Sequence, residues 1–283
     1  MDRIVYLDGE YLPEGEARVS IFDRGFLFAD AVYEVVAVID GRLVDFESHF
    51  TRLERSLAAV GMSLPMPRAE LLDIHHGLVA RNALQEGLVY LQISRGNPGD
   101  RDFRFPDPPV RQTCVLFTQA FAAIARPGVE AGIRVITLPD LRWHRRDIKT
   151  VQLLYPSMAV MAAREAGADD AWLVEDGHVT EGTSNNAHIV SEGRLITRAL
   201  SNDILHGTTR AAFLRLARGL RIEVVERAFT VAEAQAADEA FITSATNFAT
   251  PVVSIDGVTV GSGRPGPVTA RLREAYLAEV RGG

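Results

Sequence analysis

The sequence predicts a mixed α/β fold of two domains, with antiparallel or mixed sheets. Stretches with the apolar spacing of helices alternate with runs of strand-forming residues. The length of 283 residues is sufficient for two modest domains. Residue pairs that favour tight turns interrupt the strand-forming runs and predict β-hairpins: Asp8-Gly9, Asp40-Gly41, Asp176-Gly177, Glu192-Gly193 and Asp256-Gly257.

The helices follow from apolar periodicity. Residues 47–62 place Phe50, Leu53, Leu57 and Val60 on one stripe, and residues 68–84 repeat this spacing. Further helices are predicted for three later segments: 155–168, which has a proline near its start and a glycine near its end, 207–220 and 267–280.

An alanine-rich stretch that ends in Pro-Gly, residues 119–128, predicts the domain boundary. We expect an N-terminal α/β domain over residues 1–120, an interdomain loop over 121–127 and a C-terminal α/β domain over 128–283.

Composition narrows the possible functions. The formal charge of −7 and a pI near 5.6 argue against a nucleic-acid-binding protein. No apolar run approaches the roughly 20 residues of a membrane span, and the N-terminus has strand character, so we expect a cytoplasmic protein. The single cysteine, Cys114, lies in an apolar strand and predicts core packing, without a disulfide or a cysteine metal cluster.

Lys149 is the only lysine among 30 basic residues, and the other 29 are arginine. Arginine stays protonated in proteins, whereas a lysine amine can lose its proton and add to a carbonyl as a nucleophile. A solvated loop lysine is the ordinary alternative. Lys149, however, stands where a polar loop meets the apolar run that begins at Val151, and this position favours a functional amine.

If Lys149 binds an aldehyde cofactor, pyridoxal 5'-phosphate is the commonest candidate, and it needs partners for its phosphate, ring nitrogen and ring face. The segment 205–213 combines a glycine, two threonines and a helix start, which form a simple anion site. Residues 242–248 offer further hydroxyl groups, Arg52 offers a cation, and Glu181 offers a carboxylate for the ring nitrogen. Taken alone, these features also fit a capped helix, a solvated arginine and an exposed turn glutamate.

Five segments, RGFLFADAVYEVV, DIKT, VTEGTSNN, ILHGTTR and FITSAT, together resemble the fold-type IV pyridoxal phosphate enzymes in their order and spacing, over almost the whole chain. The resemblance implies two α/β domains with the cofactor between them, in a homodimer. It implies that Lys149 is the Schiff-base lysine, that Glu181 pairs with the ring nitrogen and that Leu205 packs against the ring. It also implies a substrate-facing tyrosine, Tyr33, and a set of phosphate contacts: Arg52, Thr208, Thr209, Ser244, Ala245 and Thr246.

Residues 90–109 most resemble the D-amino-acid transaminases of that family. In that group the loop ends in an Arg-x-His pair that binds the substrate α-carboxylate. Here Arg101, Asp102 and Phe103 stand at these positions, Arg104 follows, and the loop is one residue longer. The resemblance therefore implies an atypical D-amino-acid transaminase that uses D-alanine or D-glutamate with 2-oxoglutarate or pyruvate, by a ping-pong mechanism. Its substrate contacts would come from Tyr33, Arg101, Phe103 and Arg104.

The main alternative is a branched-chain L-amino-acid or (R)-amine transaminase on the same scaffold, because Phe103 could favour less polar substrates. An aminodeoxychorismate lyase is a weaker alternative, since the Gly-Gly-Arg-Gly-Tyr-like segment is missing. A non-catalytic binding protein would need neither Lys149 nor Glu181.

Overall fold

The computed structural model describes residues 2–125 and 127–282 and divides the chain into two compact units. The first unit contains the chain up to Ala122 together with Ile148–Gln152. The second contains Ala123–Asp147 and the chain from Leu153 onwards. Arg126, inside the predicted loop 121–127, lies outside the described residues.

In the described part of the chain, the first unit combines an antiparallel six-stranded sheet with helices. Its strands are β1 (Ile4–Leu7), β2 (Glu10–Pro13), β3 (Ala31–Ile39), β4 (Arg42–Leu43), β5 (Gly87–Ser94) and β6 (Thr113–Ala120). Its helices are α1 (Arg24–Phe28), α2 (Phe46–Ala59) and α3 (Arg68–Arg81). The strand order is β2-β1-β6-β5-β3-β4.

The core of the first unit forms where α2 and α3 pack on this sheet. Phe50, Leu53 and Leu57, three members of the predicted stripe of α2, are at most 2% exposed and belong to one apolar cluster with residues of β3, β5 and α3. Burying such side chains stabilises the fold by roughly 1.5–3 kcal/mol each. Cys114 lies in the same cluster, which confirms its predicted packing role.

The second unit contains a mixed sheet of nine strands among its described residues. The strands are β7 (Ile133–Pro139), β8 (Asp170–Glu175), β9 (His178–Gly182), β10 (Asn186–Ser191), β11 (Arg194–Thr197), β12 (Val224–Glu226), β13 (Glu239–Ser244), β14 (Phe248–Ile255) and β15 (Val258–Thr259). The helices are α4 (Pro127–Ala131), α5 (Leu154–Glu165), α6 (Thr208–Gly219), α7 (Val231–Gln235) and α8 (Pro267–Gly282). The order is β12-β11-β10-β13-β14-β7-β8-β9, with β15 paired to β14. One apolar cluster includes Trp172, Phe229 and Ile242, and α5 packs on β7 and β8 through a second one.

The predicted turn pairs are confirmed as hairpin turns. Each joins two antiparallel neighbours: β1–β2, β3–β4, β8–β9, β10–β11 and β14–β15. Both residues of every pair adopt a positive φ, between 50° and 112°, which matches the right-handed twist of the flanking strands. The predicted helices correspond to α2, α3, α5, α6 and α8, and the mixed α/β class is confirmed.

The segment Ile148–Gln152 differs from the predicted continuous C-terminal domain, because it packs with the first unit. Thr150 forms a β-bridge with Val32 of β3. The Val151 N–H donates to the Ala31 carbonyl over 3.2 Å, and Ile148 is part of the first core. The backbone of Lys149 is therefore held beside the first residues of β3.

Among the described residues, no helix is both long and apolar enough to cross a membrane. The same residues contain no group of three or more histidine, cysteine, aspartate or glutamate side chains arranged to hold a metal ion.

Candidate active site

Lys149 is held by its backbone, and its side chain lies against an aromatic ring. Its N–H donates to Ser56 Oγ of α2 over 3.3 Å, and its carbonyl accepts from the Tyr33 N–H over 3.0 Å. The Lys149 Nζ atom is 4.3 Å from the centroid of the Tyr33 ring, which stacks on Tyr90 at 5.6 Å. The structure thus brings the predicted nucleophile and the predicted substrate-facing tyrosine together, and Lys149 is a half-buried residue whose backbone is held by hydrogen bonds.

Arg52 is buried, so the interpretation as a solvated helix arginine is wrong. Its Nε and Nη2 atoms donate to Glu34 Oε1 and Oε2, both over 2.8 Å, and His49 Nδ1 lies 2.7 Å from Glu34 Oε2. Burial alone would raise the pKa of Glu34, but the charge and hydrogen bonds of Arg52 outweigh it and hold that pKa well below its usual range. Arg52 is therefore an oriented cation one helical turn from Ser56, and its contact with a phosphate stays a prediction.

The predicted substrate residues Arg101, Phe103 and Arg104 lie on the loop between β5 and β6. Arg104 Nε donates to Asp102 Oδ2 over 3.0 Å, so an adjacent carboxylate partly neutralises its charge. The Arg101 guanidinium carbon lies 5.0 Å from the Phe28 ring centroid and 4.8 Å from that of Phe103. Phe103 is 75% exposed, so this loop presents a guanidinium and an aromatic ring to solvent.

The backbone of this loop rests on Arg24, a residue to which the sequence assigned no role. Arg24 is 3% exposed, and its Nη1 donates to the carbonyls of Asp102 over 2.6 Å and Arg104 over 3.2 Å. Its Nε donates to Asp30 Oδ2 over 2.8 Å, and Arg95 Nε donates to the same oxygen over 2.8 Å. Asp30 thus orients two arginines beneath the loop.

Glu181 is 3% exposed and lies in β9, so the interpretation as an exposed turn residue is wrong. Its Oε2 accepts from Asn186 Nδ2 over 2.9 Å and from the Leu205 N–H over 3.0 Å. Its Oε1 accepts from Arg142 Nη1 over 2.6 Å. A carboxylate offers about four lone-pair positions, so Oε1 can accept one further hydrogen bond.

Asn186 joins Glu181 to the start of α6. Its Nδ2 also donates to the Leu205 carbonyl over 2.9 Å, and Leu205 lies two residues before Gly207, the N-cap of α6. A Cβ atom on Gly207 would lie 2.0 Å from Asn186 Oδ1, so only glycine fits at this N-cap. Asn186 is paired in register with Thr243, the residue before Ser244, which brings the predicted Ser244–Thr246 segment to the same edge of the sheet.

The start of α6 fits an anionic group. The N-cap of this helix is Gly207, which provides no side-chain cap, and the helix dipole favours a negative charge at this end. Thr209 Oγ1 is buried and has no hydrogen-bond partner among the described residues. A buried hydroxyl without a partner costs about 1–3 kcal/mol, and an oxyanion at this position would remove that cost. Together with the spare acceptor position on Glu181, the second unit fits a group that carries both a phosphate and a protonated nitrogen.

Sequence reasoning missed Arg142, Asn186, Arg24 and Glu34. Asn186 lies inside the quoted segment VTEGTSNN, but nothing in that segment shows which of its polar side chains faces a carboxylate. Arg142 precedes Lys149 by seven residues in an arginine-rich loop, and its partner Glu181 lies 39 residues further along the chain. Only the folded structure reveals that contact.

The chain matches the model of the amino-transferase class IV family over residues 31–255. It is 38% identical over 273 residues to a D-alanine aminotransferase from Bacillus licheniformis, which covers 96% of this chain and 95% of that protein. It is 35% identical over 274 residues to a D-alanine aminotransferase from Staphylococcus aureus, strain MSSA476, which covers 96% of each chain. Among solved structures, the T.th. branched-chain amino acid aminotransferase with pyridoxamine 5'-phosphate matches with a TM-score of 0.91 and 26% identity, over 100% of this chain and 95% of that one.

Proposed function

The chain belongs to the class IV aminotransferases, and from that membership we propose that it moves an amino group between a D-amino acid, such as D-alanine or D-glutamate, and a 2-oxo acid, such as 2-oxoglutarate or pyruvate. Its cofactor is pyridoxal 5'-phosphate. The observation that carries the proposal is the 35–38% identity to D-alanine aminotransferases over 96% of this chain. The single lysine of this chain lies in its DIKT motif.

The cofactor supplies an aldehyde that accepts the amino group and a ring that withdraws electrons from the substrate Cα atom. Lys149 Nζ would hold the cofactor through its aldehyde carbon, and once released it would accept the proton from the substrate Cα atom as a general base. Arginine could do neither, because it stays protonated. The Tyr33 N–H holds the Lys149 backbone through its carbonyl, and the Tyr33 ring lies 4.3 Å from Nζ, beside the reacting amine.

The second unit holds the cofactor through charge and hydrogen bonds. Glu181 Oε1 would accept a hydrogen bond from the protonated ring nitrogen, and Leu205 would pack against the ring. The start of α6, with Thr208 and Thr209, would bind the phosphate, supported by Ser244, Ala245 and Thr246. We also propose that Arg52, a residue of the first unit, supplies a cation to the phosphate. On the loop between β5 and β6, Arg101 would bind the substrate α-carboxylate beside Phe103 and Arg104.

Reduction of the holoprotein with borohydride tests the covalent step. Trypsin cuts after Arg146 and Arg164 and does not cut at a modified lysine, so the cofactor label should remain on the peptide 147–164. Lys149→Ala should abolish both the label and transamination, and Lys149→Arg should behave in the same way although it keeps the charge. A label on any other peptide contradicts the proposal.

A branched-chain activity is the second candidate, because the solved structures with the same fold include branched-chain aminotransferases. The two candidates differ in the chirality of the donor. With 2-oxoglutarate as acceptor, we expect faster turnover of D-alanine than of L-leucine. The opposite preference would reject the D-amino-acid assignment and retain the transaminase.

We propose a homodimer located in the cytoplasm, where amino acids and 2-oxo acids are available as substrates. One face of α5 exposes apolar side chains at helical spacing: Leu154 is 77% exposed, Met158 is 58% exposed and Met161 is 53% exposed. An apolar stripe of this kind supports contact with a second copy of the chain. Light scattering of the holoprotein measures the assembly.

A further inference from the structure

Arg142 is the one charged side chain among the described residues that contacts Glu181. Its Nη1 donates to Glu181 Oε1 over 2.6 Å, and the Arg142 side chain is only 12% exposed. The other two donors to Glu181, an asparagine amide and a backbone N–H, are neutral and occupy Oε2. The charge of Arg142 therefore acts on the oxygen that has a spare acceptor position.

Asp140 fixes the guanidinium of Arg142 in place. Arg142 Nε donates to Asp140 Oδ1 over 2.9 Å and Nη2 donates to Oδ2 over 2.7 Å, which leaves Nη1 directed at Glu181. The Asp140 side chain is fully buried and also accepts from Thr180 Oγ1 over 2.7 Å. Thr180 and Glu181 are neighbours in β9. The same strand therefore carries Glu181 and binds Asp140, the residue that orients Arg142.

The charges continue in alternation away from Glu181. Arg146 Nε lies 3.4 Å from Asp140 Oδ2, and Arg146 Nη1 donates to Glu175 Oε2 over 2.7 Å. Negative and positive side chains thus alternate in a series of five residues: Glu181, Arg142, Asp140, Arg146 and Glu175. A buried charge is tolerated when it is paired and hydrogen-bonded, and each inner member of the series lies between two residues of opposite charge. The series ends at Glu181, whose second neighbour would be the protonated nitrogen of the cofactor ring.

A ring nitrogen and a buried carboxylate that share one hydrogen bond compete for one proton. Burial raises the pKa of Glu181, and the guanidinium of Arg142 opposes that rise. Without Arg142, the buried carboxyl would be more stable in its neutral, protonated form. A neutral Glu181 leaves the ring nitrogen unprotonated and weakens its withdrawal of electrons from the substrate.

We infer that Arg142 is a positioning residue that keeps Glu181 ionised, so that the shared proton resides on the ring nitrogen of the cofactor. The inference rests on the proposed function, because it takes Glu181 as the partner of that nitrogen. Arg142 would thereby maintain the withdrawal of electrons by the cofactor ring without contacting the substrate.

The test is ¹⁵N NMR of the holoenzyme loaded with cofactor that carries ¹⁵N in its ring, because the chemical shift reports whether this nitrogen is protonated. The wild type should show a protonated nitrogen at pH 7.5, and Arg142→Gln should show an unprotonated one. We expect kcat to fall roughly 10- to 100-fold, as for other outer-shell partners of a functional ligand, while KM changes little. Arg142→Lys keeps a cation and should restore part of the protonated signal.

Arg145→Gln is the matched control, since it removes the same charge from the same loop at a residue that pairs with Asp147 and is 43% exposed. It should keep the wild-type signal. Arg142→Gln leaves the buried Asp140 with the Arg146 cation alone, at 3.4 Å, and this loss could prevent folding. The double variant Asp140→Asn/Arg142→Gln removes both charges and provides a second sample in that case. The double variant should also lose the protonated signal.

Two outcomes separate the inference from the proposed function. If Glu181→Gln loses the protonated signal but Arg142→Gln or the double variant keeps it, the inference is overturned and the proposed function stands. If Glu181→Gln keeps the protonated signal, Glu181 is not the partner of the ring nitrogen, and that part of the proposed function fails together with the inference.

Discussion

At the scale of single residues, Arg101 and Arg104 differ in what surrounds their charge. Arg104 pairs with Asp102, and its hydrogen bonds lower the pKa of that carboxyl to about 2. Arg101 makes no ion pair with any described residue and lies against two aromatic rings. Arg101 is therefore the better candidate to bind a substrate carboxylate.

We expect Arg101→Gln to raise KM for 2-oxoglutarate by roughly 10- to 100-fold, because a hydrogen bond between charged groups contributes about 1.5–3 kcal/mol. Arg104→Gln should change KM by less than about threefold, since exposed ion pairs contribute little. Steady-state kinetics of both variants measure this difference. A larger effect of Arg104→Gln than of Arg101→Gln would show that Arg104 is the carboxylate ligand, and Asp102→Asn, which removes the partner of Arg104, would then lower KM. Equal effects would contradict the choice of Arg101 over Arg104.

At the scale of elements, the sequence predicted the turns and helices that are determined by residues close together in the chain. The turn at Asp8-Gly9 is set by two adjacent residues with positive φ, and α2 is set by an apolar spacing within fourteen residues. Long-range pairing was not predicted: β7 is parallel to both β8 and β14, and residues 148–152 join β3. The burial of Glu181 follows from partners up to 39 residues away, and no local pattern carries that information.

The start of α6 gives a prediction at this scale. Because Thr209 Oγ1 is buried without a partner among the described residues, its hydroxyl is available for the cofactor phosphate. Thr209→Val should weaken binding of pyridoxal 5'-phosphate by roughly tenfold or more, the effect of losing one hydrogen bond to a charged group. Equilibrium dialysis against the free cofactor measures the Kd. Thr209→Ser keeps the hydroxyl and should bind within about threefold of the wild type, and an equal loss in both variants would show that the hydroxyl does not determine the affinity for the cofactor.

At the scale of the whole molecule, each unit buries a histidine that is neutral at pH 7. In the first unit, burial lowers the pKa of His75 to about 4: its Nδ1 lies 2.7 Å from the Leu71 carbonyl, and its Nε2 has no partner among the described residues. In the second unit, burial lowers the pKa of His188 to about 3. The unfolded chain protonates these rings near pH 6.5, so it binds more protons than the folded chain in the interval below that pH.

The free energy of unfolding should therefore be highest above pH 6.5 and decrease as the pH falls toward about 4. For His75 alone, the difference between 6.5 and about 4 corresponds to at most about 3 kcal/mol. We expect the apparent Tm of the holoprotein to fall between pH 7 and pH 4.5, and His75→Leu to make that fall shallower. His76→Leu changes the adjacent, exposed histidine and should keep the wild-type slope. A wild-type Tm that does not change over this interval, or an equal flattening in both variants, would show that burial of His75 does not control the acid sensitivity.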